Sequence, residues 1–86
     1  MKKLKEKEDS YFETTDISLA NTLYYFGFKI ESINKNNPTR AVFIFDKSKE
    51  LDALTQGFWS HSLQVEPLAF LNSLKEVKTR LYQQVG

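Results

Sequence analysis

The chain of 86 residues has no cysteine, one histidine and three glycines. Without cysteine there is no disulfide, no thiolate metal site and no thiol nucleophile. One histidine, His61, stands in a polar loop with no second imidazole to share a metal and no partner to orient it as a base. Gly27, Gly57 and Gly86 are isolated from one another, so no glycine-rich phosphate loop can form. An excess of charge is missing too. Twelve Lys and Arg stand against 11 Asp and Glu, a net charge of +1, whereas a dedicated nucleic-acid binder is clearly basic. No apolar run reaches the roughly 18 residues of a membrane span, and the N-terminus lacks an apolar signal core. These absences predict a protein that is not an enzyme, needs no cofactor, avoids the membrane and works in the cytoplasm.

What is present suits one small globular domain. Hydrophobic residues make up 41% and charged residues 27%, and this length leaves room for a single core. The 14% of aromatic residues help such a core, because each ring buries a large area.

Residues 1–10, M-K-K-L-K-E-K-E-D-S, alternate in charge and carry no apolar face. Lys2, Lys3, Lys5 and Lys7 are offset by Glu6, Glu8 and Asp9, which reads as a solvated, disordered leader. The domain is expected over residues 11–84, beginning with a short extended segment at Tyr11 to Thr14. Asp16 is an N-cap residue, and Ile17, Leu19, Ala20, Leu23, Tyr24 and Phe26 then recur at helical spacing. Gly27 suits the left-handed position past the helix end, so the first helix should run from Ile17 to Phe26.

Phe28 to Glu31 alternates as a half-buried strand does, but Ile33 falls out of phase, which predicts a bulge near Ser32. Residues 34–39, N-K-N-N-P-T, are turn formers. Ala41 to Phe45 is apolar on both faces, with Val42 and Ile44 pointing one way and Phe43 and Phe45 the other. Such a strand is either central and covered twice, or it offers one face to a partner.

Ser48 caps a second helix carrying Leu51, Leu54 and Phe58, ended near Trp59 by Gly57 and the S-H-S run. Leu63 and Val65 suggest a brief strand. Glu66 and Pro67 open a third helix to about Gln83, with Phe70, Leu71, Leu74, Val77 and Leu81 on its apolar face. The expected fold is α+β, an antiparallel hairpin packed against three helices in the order (β)-α-β-β-α-(β)-α.

One pattern carries a resemblance. Thr14, Asp16, Leu19, Ala20, Leu23, Gly27 and Phe28 form T-x-D-x-x-L-A-x-x-L-x-x-x-G-F, followed by Arg40, Phe43, Phe45, Trp59, Lys78, Arg80 and Tyr82. From Tyr11 to Tyr82 the chain resembles a family of small prokaryotic and phage-associated proteins catalogued as a domain of unknown function. The resemblance implies a stand-alone domain of bacterial or mobile-element origin, and it brings no catalytic residues.

The residues that could contact a partner are few. Asp46, Glu50 and Asp52 resemble a hard-cation cluster, but a strand end, a helix N-terminus and a solvated helix face account for them more simply. Phe43 and Phe45 are either core or a stacking platform for single-stranded nucleic acid, the core being the usual fate of phenylalanine on a strand under helices. Arg40, Lys29 and Lys35 surround the hairpin, while Lys75, Lys78 and Arg80 lie on the third helix. Trp59 either anchors a loop on the core or stands in an interface.

The leading expectation is a non-catalytic interaction or adaptor module, regulatory and homodimeric in its simplest form. The alternative is a nucleic-acid-binding accessory protein of a phage or mobile element. A metal-dependent nuclease using Asp46 and Glu50 ranks last.

Overall fold

The computed structural model of the protein describes residues 10–37 and 39–83. The expected leader, apart from Ser10, lies outside the described residues. The elements are β1 (Tyr11–Thr14), α1 (Ile17–Tyr25), β2 (Ile30–Asn34), β3 (Val42–Asp46), α2 (Lys49–Trp59) and α3 (Pro67–Gln83). The order β-α-β-β-α-α confirms the α+β class, with one difference. Leu63 and Val65 belong to a connection between α2 and α3 and form no strand, since neither finds a ladder partner.

Local chemistry explains the helix ends. The Asp16 carboxylate accepts from the backbone N–H groups of Ser18 and Leu19 at 2.8 and 3.2 Å, satisfying donors that the first turn leaves open. Ser48 Oγ does the same for Leu51 at 3.0 Å. At α3 the cap is Glu66, whose two carboxylate oxygens accept from Leu68 and Ala69 at 3.2 and 2.7 Å. Pro67 then takes the first helical position, where a missing N–H costs nothing.

The C-termini of α1 and α2 close in the same way. After α1, Phe28 N–H donates to Leu23 and Gly27 N–H to Tyr24, both at 3.0 Å, with Gly27 at φ 103. After α2, Ser62 N–H donates to Gly57 at 3.0 Å and His61 N–H to Phe58 at 3.2 Å. This paired pattern needs a left-handed residue just past the helix. In α1 it is a glycine, as expected. In α2 it is His61, at φ 62. Gly57 therefore sits inside α2, where its bare Cα lets the Leu63 side chain approach.

The sheet is antiparallel, with strand order β1-β3-β2. β3 is thus central, hydrogen-bonded on both edges. The expected irregularity in β2 is present: Ile30 pairs with Phe45 and Ser32 with Ile44, with the register shifting between them. The bulge lets Ile30 and Ile33, three positions apart, both enter the core. Phe43 and Phe45 join them there, with Leu19, Ala20 and Leu23 of α1, Leu51 of α2 and Val77 of α3. One face of the sheet is thereby covered by helices. On the other face Val42 and Ile44 are half-buried, with Glu13 and Ser32 directly opposite Ile44 on the flanking strands.

Candidate functional site

The residues singled out in the sequence separate into five places. Phe43 and Phe45 are buried, with 2% and 0% exposure, so neither offers a ring face to a ligand. Arg40 is exposed on the β2–β3 connection. Lys75 and Lys78 are exposed together on α3. Arg80 is half-buried and its charge reaches Tyr24, on a different side of the helix from the two lysines. Trp59, whose position the sequence left open, is 61% exposed at the end of α2.

Trp59 is held as well as exposed. Its ring meets Phe58 edge to face, with centroids 4.9 Å apart. Phe58 in turn lines a groove of about 270 Å³ with Thr22, His61, Leu63, Val65 and Phe70. The groove lies where the C-terminal end of α2 and the N-terminal end of α3 meet α1. Its walls are mostly apolar, and the left-handed His61 turn brings Leu63 back over α2. Tyr25 buttresses the α3 side: its ring meets Phe70 edge to face at 5.5 Å, and its hydroxyl accepts from Glu66 N–H at 3.1 Å.

A second groove, of about 320 Å³, lies between the hairpin loop and the end of α3, lined by Lys35, Asn37, Thr39, Arg40, Ala41, Leu81 and Tyr82. Lys35 is already engaged there, donating from Nζ to the Leu81 carbonyl at 2.7 Å. A cation at a helix C-terminus is electrostatically favourable, so Lys35 acts as a cap. Arg40 is the exposed cation of this groove.

A third depression, between α1 and α3, contains Tyr24 and Glu76. Tyr24 hydroxyl donates to the Glu76 carboxylate at 2.5 Å. That hydrogen bond, with partial burial and the Glu76 charge, holds the Tyr24 hydroxyl above its ordinary value of 10.0, and Arg80 opposes the rise. The bond ties α1 to α3.

Of the acidic cluster, Asp46 and Glu50 are exposed, and Asp52 pairs with Lys47 at 3.0 Å. Among the described residues no three His, Asp or Glu side chains come together to hold a metal ion. None of the described helices is long and apolar enough to cross a membrane.

Several exposed apolar side chains are not among the contacts expected from the sequence, and three of them lie close together in the chain. Leu68 and Val65 stand out in the water, 65% and 36% exposed, and Leu71, expected on the buried face of α3, is 53% exposed. The helix turns Phe70, Ser73, Leu74, Val77 and Leu81 inward, with Arg80 half-buried beside them, a stripe too narrow to include Leu71. The available signal was a second stripe on α3, Leu68, Leu71, Lys75, Lys78 and Tyr82, at helical spacing.

No curated protein and no solved structure matches the chain. One family model does, over residues 9–83, and its family is described as a domain of unknown function, DUF5659. That span takes in every element from β1 to α3, so the chain belongs to the DUF5659 family.

Proposed function

We propose that the protein is a non-catalytic interaction module of the cytoplasm, binding a protein partner through the surface formed by the end of α2, the following connection and the start of α3. One observation carries this reading: Trp59, Val65, Leu68 and Leu71 are all exposed within thirteen consecutive positions of the chain. A small domain gains by burying such residues, and leaving four of them in water costs solubility unless a partner covers them. Tryptophan is the residue most enriched at the energetic centre of protein interfaces. The edge-to-face Phe58–Trp59 pair beside the groove provides an anchor of that kind.

The nucleic-acid reading retains one support, the exposed cations Arg40, Lys75 and Lys78. Its aromatic platform is absent, because Phe43 and Phe45 lie in the core. The test is photo-crosslinking in the native cells from position 59, with position 31 on β2 as the control. Protein adducts from position 59 alone support the module. Adducts with nucleic acid, or equal yields from both positions, overturn it.

A further inference from the structure

Leu68, Leu71, Lys75, Lys78 and Tyr82 follow one another along α3 at intervals of 3, 4, 3 and 4. At 3.6 residues per turn this confines them to an arc of about 80°. All five are exposed, and Val77, on the opposite side, is buried in the core. The spacing is that of a coiled-coil seam, in which alternate intervals of three and four keep one face toward a neighbouring helix. This seam has a composition of its own: leucine at one end, two lysines at the centre and tyrosine at the other end.

The lysines decide what can cover it. In a parallel two-fold pair every seam residue meets its own copy, which sets Lys75 against Lys75 and Lys78 against Lys78. An antiparallel pair that keeps the stripe in contact also brings lysine against lysine at its centre. Like charges so placed oppose association. A second copy of this chain is therefore the wrong occupant, even though the sequence suggests a homodimer. No acidic residue of α3 lies in the arc, and among the described residues neither lysine forms an ion pair. The complementary surface is a helix that presents apolar side chains to Leu68 and Leu71 and carboxylates to Lys75 and Lys78.

We infer that the outer flank of α3 docks an acidic amphipathic helix of a partner protein. The inference rests on the interaction-module reading and adds the chemistry of the partner. The apolar contacts supply affinity, and the carboxylate–lysine contacts fix register and polarity. A helix of the same pattern in the reverse direction would set a carboxylate against Leu71 and an apolar side chain against Lys78.

The experiment titrates the isotopically labelled full chain with a synthetic helical peptide whose seam reads Leu-Leu-Glu-Glu-Leu at the same spacing. A twin peptide carries Lys in place of both Glu. The acidic peptide is expected to bind at least about tenfold more tightly at low salt, with amide shifts concentrated on residues 68–82. The Lys75→Glu, Lys78→Glu double variant, its fold checked by circular dichroism, should invert that preference. Equal binding of the two peptides, no binding, or shifts centred elsewhere would overturn the inference. So would a DNA duplex or an anionic vesicle displacing the acidic peptide from the same residues, which would assign the flank to a polyanion. Failure here, with protein adducts still forming from position 59, removes only this partner class. Failure of both removes the module itself.

Discussion

The Ser73 hydroxyl lies 2.7 Å from Asn21 Oδ1, in the contact between α1 and α3. Asn21 is fully buried, and its amide donates in turn to the Phe70 carbonyl at 3.4 Å. The Ser73 proton also has that carbonyl within reach, at 2.8 Å. A buried amide thus joins two helices because each of its ends has a partner. Ser73→Ala leaves Asn21 Oδ1 buried and unpaired, and should cost about 1–3 kcal/mol in urea unfolding. Adding Asn21→Leu removes both partners together, so the double variant should lose clearly less than the sum of the single losses.

The two left-handed cap residues should respond in opposite directions. Gly27→Ala meets no atom within 4 Å, so its cost is that of the backbone alone, about 1–2 kcal/mol. His61→Gly relieves the same strain and should raise stability by about 0.5–1 kcal/mol. Urea midpoints of the two variants moving in the same direction would contradict this account of the α2 terminus.

The Tyr24–Glu76 bond makes stability depend on pH at the alkaline end. Folding raises the Tyr24 titration above 10.0, so the neutral hydroxyl is favoured in the folded chain. Its contribution is full below the unfolded value and is lost as pH rises through the folded one. Tyr24→Phe should therefore be less stable than the parent by a constant margin at neutral pH. That margin should shrink only in strongly alkaline solution, as followed by unfolding at a series of pH values.

Trp59 is the single tryptophan, so its fluorescence reports one site. Emission should have the long wavelength of an indole in water and shift to the blue when a partner covers α2. Trp59→Ala should change stability by no more than about 0.5 kcal/mol, as exposed positions do. Its loss of partner binding should be far larger than that.

Much of the fold was legible because single residues carried it. Asp16 and Ser48 announced helix starts, Gly27 announced a helix end, and the phase slip between Ile30 and Ile33 announced the bulge. Each of these is a local preference that packing did not override. The misses are all tertiary. Asn21 and Thr22 are buried although polar, because Ser73, Phe70 and Ser18 supply partners that are distant in sequence or already lie on the helix. Leu63 and Val65 lie in the connection between α2 and α3, which runs beside the helices rather than along a sheet edge. Leu71 has the right spacing for the core, but α3 rests on a narrower line of contact than its apolar residues suggest. The surface was harder to foresee for a simple reason. Trp59 is one position beyond half-buried Phe58 on α2, and whether that side of the helix end is covered depends on the path of the following connection, which the left-handed His61 turn begins.

The order of the strands also determines the order in which the domain can be made. Among the described residues β1 is the first element, and its only strand partner there is β3, with Tyr11 opposite Asp46 and Thr14 opposite Phe43. On a ribosome, β1 and α1 emerge before any ladder exists for them. β2 and β3 are joined by a short connection and can pair as soon as both are out. The ladder to β1 therefore cannot form until β3, the last-synthesised of the three described strands, is available.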